Sequence, residues 1–167
     1  LNMLIDKEYV PSYFAAIPER LHDLKLLPIS SNQKIIGGGT DLYVQKPDET
    51  SDLDAAFFLN RKEFKYIREN EGYIQVGASV TASEIMYSEI FNSLFPKIQE
   101  WFLLISSEPI RNMGTVAGNF VNASPIGDLS IFFLALNAEL IISDFNDQKR
   151  EVFLKDFFKA YKLIDLS

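Results

Sequence analysis

The central stretch of the chain, from Ile110 to Leu129, reads Ile-Arg-Asn-Met-Gly-Thr-Val-Ala-Gly-Asn-Phe-Val-Asn-Ala-Ser-Pro-Ile-Gly-Asp-Leu. It combines three glycines with short polar side chains and is flanked on both sides by apolar segments. Glycine lacks a Cβ atom, so the backbone of such a run can approach a polar ligand closely while amides and hydroxyls form hydrogen bonds to it. The stretch therefore predicts a binding loop.

A second glycine run, Gly37-Gly38-Gly39-Thr40-Asp41, follows a predicted strand at residues 34–36. Successive glycine amides can form a concave nest that holds an anion such as a pyrophosphate. The alternative is a glycine-rich turn without a ligand, because the run matches neither the P-loop nor the Rossmann fingerprint. We expect the Asp41 carboxylate to accept backbone amide hydrogen bonds that fix the turn.

Bulk composition narrows the class of protein. The chain has 167 residues, 47% of them hydrophobic, which suits one domain or two small lobes. A net charge of -7 without a Lys/Arg cluster argues against nucleic acid or an anionic membrane as partner. Because the chain has no cysteine, it holds no disulfide, thiolate zinc site or iron-sulfur cluster of its own. With no signal peptide pattern and no apolar run of membrane length, a cytoplasmic location is predicted.

Local patterns predict mixed helices and strands. The first 17 residues show no clean period, and Pro18 opens a helix carrying Leu21, Leu24 and Leu27, which Pro28 ends. The only histidine, His22, lies on the face that this apolar stripe leaves free, which favours a solvated position over a catalytic one. Strands are predicted at 34–36 and 55–59, and hairpins at 64–69 with 73–78 and at 138–144 with 149–154.

Three further helices are predicted. Thr81 and Glu84 fit a capping box that starts a helix through Ser88. A second helix is predicted to begin after Ser93, with an apolar stripe that is core by default. Asp128 is expected to cap a third helix through Leu136, because its carboxylate can accept from first-turn amides.

The two glycine runs together resemble a known family. Gly-Gly-Gly-Thr-Asp-Leu after a short apolar strand, then Ile-Arg-Asn-Met-Gly-Thr-Val-Ala-Gly-Asn, then Ala-Ser-Pro-Ile-Gly-Asp-Leu are similar in sequence and order to the FAD-binding domain of the molybdenum hydroxylases. That family includes the flavin subunit of xanthine dehydrogenases and the carbon monoxide dehydrogenase flavoprotein. The resemblance implies an α/β (α+β) fold, a two-lobed FAD-binding domain of the molybdopterin dehydrogenase flavoprotein (PCMH) type.

The resemblance also implies the site residues. The first run would wrap the pyrophosphate and ribityl chain of FAD. The second run would contact the same groups with backbone amides, a hydroxyl and an amide side chain. Asp128 would be a polar anchor, and Ile105 would cover one face of the flavin ring. The FAD-binding residues implied in this way are Ile35, Ile36, Gly37, Gly38, Gly39, Thr40, Asp41, Leu42, Ile105, Thr115, Val116, Ala117, Gly118, Asn119 and Asp128. Arg111 is either a phosphate partner or a structural arginine that braces the loop. No catalytic side chain and no metal ligand is implied.

The same resemblance implies a domain plan and partners. Residues 1–17 would be a linker from an upstream iron-sulfur domain, 18–78 the smaller N-terminal FAD-binding lobe, and 79–167 the larger lobe, truncated at its C-terminal end. Electrons would pass from 2Fe-2S clusters through FAD to NAD. Substrate oxidation would occur at a molybdenum cofactor on a partner subunit of an oligomeric enzyme.

Two alternatives remain open from the residues. A member of the same fold without flavin could serve as a docking or structural subunit, because Ile105 gives up aromatic stacking on the ring. A different nucleotide-binding or small-molecule module could carry similar glycine loops by chance. The absence of any nucleophile-base-acid set favours cofactor chemistry over side-chain catalysis in every case.

Overall fold

The computed structural model describes residues 1–23 and 28–166. The N-terminal segment contains a helix α1 (Asn2–Asp6), a 3-10 turn (Ser12–Ala16) and a helix α2 (Ile17–His22). The prediction of an irregular start is therefore wrong for these short helices, while the helix opened by Pro18 is confirmed. The side chain of His22 is 90% exposed, as predicted. The predicted continuation through Leu24 and Leu27 lies outside the described residues.

The first glycine run lies in a small parallel βαβ-like unit. Strand β1 (Lys34–Ile36) pairs in parallel with β2 (Ala55–Phe57), with Ile35 opposite Ala56. Two short helices, α3 (Leu42–Gln45) and α4 (Pro47–Ser51), make the crossover that a parallel pair requires. The glycine turn thus leaves the carboxyl end of β1 directly, as predicted, and the second strand is shorter than expected.

A hairpin and a capped helix follow. Strands β3 (Ile67–Asn70) and β4 (Tyr73–Val76) are antiparallel, and Glu71 and Gly72 both have positive φ in the two-residue turn. Helix α5 (Ala82–Tyr87) begins with the complete Thr81–Glu84 capping box. The first predicted hairpin and this helix start are confirmed.

The next helical region differs from the prediction. Helix α6 (Glu89–Leu94) begins where the Ser88 side chain accepts from the Phe91 amide, and α7 (Ile98–Phe102) begins after Pro96. The predicted start after Ser93 is wrong because Ser88 is the helix cap and Pro96 lies in the break between two short helices.

Two helices lie inside the stretch predicted as a loop. Helix α8 (Glu108–Met113) ends at Gly114, and α9 (Val116–Asn122) begins at the Thr115 cap. After a turn, α10 (Asp128–Ala135) starts at Gly127. The small residues of this stretch therefore make tight connections between helices, and not an open loop.

The C-terminal part is built from two further hairpins. Strands β5 (Glu139–Ser143) and β6 (Lys149–Phe153) pair as predicted. A short helix α11 (Leu154–Phe157) leads into β7 (Phe158–Ala160) and β8 (Leu163–Ile164), which the sequence patterns did not predict.

The hydrophobic core joins the helices to the C-terminal strands. Its buried members in the described residues are Val80, Ala82, Ile85, Met86, Phe91, Ile98, Phe102, Val116, Phe120, Leu129, Phe133, Leu154 and Phe157. In the described part of the chain, neither these residues nor those packed against them include any position before Ile67. The βαβ-like unit, 34–57, therefore attaches to the rest of the molecule through other contacts. The mixed helix and strand architecture is confirmed, and the division into lobes at residue 78 stays a prediction.

Candidate functional site

The two glycine runs meet in space. A Cβ atom on Gly37 would overlap the Thr115 hydroxyl, and one on Gly38 would overlap the backbone carbonyl of Met113. Both positions need glycine because any side chain would separate the two segments. Two runs that are more than 70 residues apart in sequence thus meet where Gly37 and Gly38 contact Thr115 and Met113. We call this meeting the seam, with residues 37–41 on one side and residues 113–119 on the other.

The turn that follows β1 presents unpaired backbone donors. Gly39 has φ +71°, and its carbonyl accepts from the Tyr43 amide at 2.9 Å. In contrast, the amides of residues 37–41 donate to no acceptor within residues 1–23 and 28–166. The residue Gly38 is buried and Gly37, Gly39 and Thr40 are half-buried.

Backbone donors without a partner in the protein are available to a ligand. Leaving a buried backbone donor unsatisfied costs about 1–3 kcal/mol, so folded proteins rarely do it. Consecutive amides that have no acceptor among the described residues, at a turn where Gly39 has a positive φ, are the kind of backbone from which anion-binding nests are built. The turn therefore fits a ligand that carries several acceptor oxygens, as a pyrophosphate does.

The backbone of the second run is already engaged inside the protein. The amides of Val116 and Ala117 donate to the carbonyls of Val80 at 2.9 Å and Ala78 at 3.1 Å, while the Gly118 amide donates to Thr115 Oγ1 at 3.1 Å. An isolated bridge between Thr81 and Thr115 adds to this anchoring. Contacts to a ligand on this side of the seam would therefore come from side chains, whereas the sequence led us to expect backbone amides as well.

Thr115 and Asn119 are the side chains with free donors here. Asn119 Oδ1 accepts from the Ser130 amide at 3.0 Å and from Ser130 Oγ at 2.8 Å, which fixes the orientation of the Asn119 amide. Within the described residues, Asn119 Nδ2 and the Thr115 hydroxyl proton have no acceptor. Sequence reasoning missed the capping role of Asn119 because its partner lies eleven residues away in the next helix.

Asp128 does not cap a helix. It is the first residue of α10, the cap position belongs to Gly127, and Asn119 satisfies the Ser130 amide instead. The prediction of an Asp128 cap is therefore wrong, because a side chain from α9 occupies that role. Its exposed carboxylate has no hydrogen-bond or ion-pair partner in the described part of the chain.

Asp41 also differs from expectation. Its side chain is exposed and accepts no hydrogen bond from the turn amides in the residues described, although its carbonyl accepts from the Gln45 amide. Asp41 already has helical backbone angles at the start of α3, and its side chain makes no cap hydrogen bond there. The predicted bracing by this carboxylate is wrong, and the turn amides stay free.

Arg111 braces the segment that carries Ile105. The Arg111 side chain is buried, and Nη1 donates to the carbonyls of Ile105 at 2.8 Å and Ser106 at 2.6 Å. Ser106 has a positive φ, which such a brace can hold in place. Of the two readings left open by the sequence, the structure supports the bracing one. Ile105 itself is half-buried beyond the end of α7.

The apolar members of the first run lie around the turn. Ile36 is 4% exposed and contacts the position where a Gly39 Cβ would lie, whereas Ile35 is 50% exposed and Leu42 is half-buried. Of the three, Ile36 is the one that packs against the turn. Among the residues that the structure describes, no group of three or more His, Asp or Glu side chains comes together as metal ligands.

The geometry defines a class of protein. A seam that has, among the described residues, unpaired amides at 37–41 on one side and the hydroxyl of Thr115 and the side-chain amide of Asn119 on the other suits a ligand that carries both phosphates and hydroxyl groups. This is the chemistry of a nucleotide cofactor, and the chain is a cofactor-binding domain.

Comparison with known proteins gives the family. Residues 11–167 match the family described as the FAD binding domain in molybdopterin dehydrogenase. The chain belongs to this family of FAD-binding domains, which are flavoprotein components of dehydrogenases. The resemblance stated from the two glycine runs is confirmed.

Curated relatives of the chain are also components of dehydrogenases. The chain is 29% identical over 154 residues to the glyceraldehyde dehydrogenase medium chain of Sulfolobus acidocaldarius, covering 91% of this chain and 54% of that protein. It is 31% identical over 139 residues to the nicotinate dehydrogenase FAD-subunit of Eubacterium barkeri, covering 83% and 45%. The chain thus spans about half the length of these relatives.

Solved structures share the fold. The carbon monoxide dehydrogenase of Hydrogenophaga pseudoflava that lacks the Mo-pyranopterin moiety aligns with a TM-score of 0.71 at 24% identity, over 83% of this chain and 48% of that one. Quinoline 2-oxidoreductase from Pseudomonas putida 86 aligns with a TM-score of 0.71 at 23% identity, over 80% and 47%. Within residues 1–23 and 28–166, every helix falls short of what a membrane-spanning segment requires.

Proposed function

We propose that this chain binds FAD across the seam and acts as the electron-transfer domain of a xanthine dehydrogenase-like molybdenum hydroxylase. The five free amides of residues 37–41 are the observation that carries the proposal. The turn that carries them lies against a run whose unpaired groups are side chains, so one ligand with different chemistry along its length can satisfy both sides.

Each part of the seam has a role in holding FAD. The amides of residues 37–41 bind the pyrophosphate, and the glycines let the backbone come close enough. The Thr115 hydroxyl and Asn119 Nδ2 donate to oxygens of the ribityl chain or phosphates. The Asp128 carboxylate accepts hydrogen bonds as a polar anchor, and Ile105 packs against the flavin ring with Arg111 holding its backbone in position.

The residues bind and orient, and the cofactor supplies the chemistry. When bound, FAD would supply the redox chemistry that couples a one-electron donor such as an iron-sulfur cluster to a hydride acceptor such as a nicotinamide, while residues 37–41, Thr115 and Asn119 would hold it. Groups of the chain exclude water from the seam and fix the cofactor's orientation. We propose NAD as the acceptor, 2Fe-2S clusters as the donors, and a molybdenum-binding subunit as the place of substrate oxidation in an oligomeric enzyme.

The names of two relatives support a multi-subunit setting. They are a "medium chain" and an "FAD-subunit" of dehydrogenases. We therefore propose iron-sulfur and molybdenum-binding partners for this chain.

We also propose a division of the chain into a linker, residues 1–17, a smaller N-terminal lobe, residues 18–78, and a larger lobe, residues 79–167. A cytoplasmic location is part of the same proposal.

An absorption titration tests the proposal. Purified chain is titrated with FAD, passed through a desalting column, and heated to release the bound flavin for identification. We expect a flavin spectrum that shifts on binding and FAD released intact. Retention of FMN but not FAD, or no retained flavin, would contradict the proposal.

The engaged amides of residues 116–118 favour one alternative. Because those amides donate to acceptors inside the protein, the second glycine run can bind FAD only through its side chains. A flavin-free docking subunit of the same fold is the second candidate. It predicts stable association with a molybdenum-binding subunit by a chain that stays colourless in the titration.

A further inference from the structure

Both ends of helix α9 contact the segment that carries the glycine turn. At its start, Gly37 lies against the Thr115 side chain. At its end, Asn122 Oδ1 accepts from Gln45 Nε2 at 3.5 Å, and Gln45 is the last residue of α3, the helix that follows the turn. A helix of this length rises about 10 Å, so the two contacts lie at opposite ends of one rigid element.

Lys162 also donates hydrogen bonds to Asn122. In the turn between β7 and β8, Lys162 Nζ donates to Asn122 O at 2.8 Å and to Asn122 Oδ1 at 2.9 Å. A cation at the last carbonyls of a helix is stabilising, and hydrogen bonds from an ammonium group are stronger than neutral ones. Asn122 is thus a shared acceptor for two segments that are distant in sequence.

Few contacts set the position of the glycine turn. In the residues described, the core cluster has no member before Ile67, so the βαβ-like unit depends on contacts outside that core. Besides the glycine contacts, these include Ser79 Oγ donating to Phe58 O at 2.6 Å and the Gln45 contact to Asn122. Because a cofactor held from two sides is sensitive to the distance between them, a contact that fixes this distance affects binding.

We propose that Asn122 is a positioning residue for the FAD site. Its amide oxygen, held by Lys162, keeps α3 and the preceding turn at the distance from α9 that FAD requires. This inference rests on the proposed FAD binding. Asn122 touches no cofactor in this account and acts through Gln45.

Four variants of the full chain test it. Asn122→Ala removes the shared acceptor, Asn122→Asp keeps one, Lys162→Met removes the ammonium, and Lys159→Met is the control. Lys159 lies on the same hairpin and pairs with Asp165 at 3.0 Å, away from α9. The measurements are the FAD dissociation constant from flavin fluorescence, the shape of the bound-flavin absorption band, and Tm with and without FAD.

We expect Asn122→Ala and Lys162→Met to weaken FAD binding about five- to tenfold, the range that loss of one or two modest hydrogen bonds gives. Their Tm rise on adding FAD should shrink, and the flavin band should resemble free FAD more closely. Asn122→Asp and Lys159→Met should bind within about twofold of the unaltered chain. The double variant with Gln45→Leu should add little to Asn122→Ala, because both remove the same contact.

Two results would overturn the inference. One is FAD affinity unchanged in both Asn122→Ala and Lys162→Met, while the unaltered chain binds FAD. The other is an equal loss in Lys159→Met, which would indicate a general effect of removing a lysine from the hairpin. If the unaltered chain binds no FAD, the proposed function fails and this inference fails with it.

Discussion

Gly38 lies so close to the backbone carbonyl of Met113 that a Cβ atom on residue 38 would overlap the carbonyl oxygen. The obstacle is backbone at the end of α8, and not the end of a flexible side chain. The glycine turn therefore reaches the central stretch only with glycine at this position. This contact fixes one side of the seam on which the proposed cofactor site depends.

Replacement of Gly38 tests the seam. Gly38→Ala should push the turn away from Met113, lower the unfolding free energy by about 1–3 kcal/mol through overpacking, and weaken FAD binding at least tenfold. Gly72→Ala is the control, since a Cβ there contacts nothing within 4 Å, although its φ of +86° costs about 1 kcal/mol. Thermal unfolding and FAD titration together separate the two effects. Equal FAD affinity in both variants would contradict the role given to Gly38.

Substitutions of Asn119 and Asp128 should affect protein stability and FAD affinity to different degrees. Asn119→Ala removes the acceptor of the Ser130 amide and hydroxyl and should cost about 1–2 kcal/mol, as loss of a helix cap does. Asp128→Asn removes a carboxylate that makes no cap bond, so stability should change by less than about 0.5 kcal/mol while FAD affinity falls. Denaturant unfolding and FAD titration measure both. A large stability loss in Asp128→Asn would contradict the finding that Asp128 does not cap α10.

Arg111 should matter for stability through the carbonyls that it holds. Arg111→Met keeps most of the buried volume but leaves the Ile105 and Ser106 carbonyls without their donor, so we expect a loss of about 2–3 kcal/mol. Arg20→Met on α2 is a charge-matched control at an exposed position. If Arg111→Met were as stable as the control, the bracing role would be wrong.

Ala123 offers a stabilising change. It ends α9 with φ 47° and ψ 44°, the left-handed conformation that glycine adopts without strain. Ala123→Gly should raise the unfolding free energy by about 0.5–1 kcal/mol. The same substitution at Ala135, the last residue of α10, relieves no positive φ and should not raise it. A lower Tm for Ala123→Gly would contradict the left-handed cap.

Asp144 gives a pH-dependent contribution. Backbone hydrogen bonds from Gln148 and Asn146 hold the pKa of this exposed carboxyl below its ordinary value. A lowered folded-state pKa means that the stabilisation is present at neutral pH and is lost as the pH falls through the folded pKa. Asp144→Ala should therefore lower Tm at pH 7, and the difference from the unaltered chain should narrow in acid. A difference that stays constant with pH would contradict this.

The sequence predicted the parts of the fold that local chemistry determines. The Thr81–Glu84 capping box, the turn at Glu71-Gly72 and the strand before the glycine triplet each follow from neighbouring residues, and each is present. The resemblance carried by the two glycine runs also led to the family. Such features depend on short stretches whose residue types have few alternatives.

The errors arise where distant residues decide the structure. The Asp128 cap failed because Asn119 reaches across from α9. The missed helix at Glu89–Leu94 is the exception, since its cap, Ser88, directly precedes it. The amides of Val116 and Ala117 donate to the carbonyls of Val80 and Ala78, and no local sequence pattern connects these two segments. The donors at the seam that lack a partner among the described residues can be identified only from the three-dimensional structure.

The most direct test follows individual amides. In a two-dimensional ¹H–¹⁵N NMR spectrum of the labelled chain, FAD is added stepwise, with FMN and AMP as comparison ligands. We predict that the amide signals of residues 37–41 shift strongly and gain protection from hydrogen exchange, while the already bonded amides of Val116 and Ala117 shift less. FAD binding that leaves the signals of residues 37–41 unchanged would contradict the claim that this turn holds the cofactor.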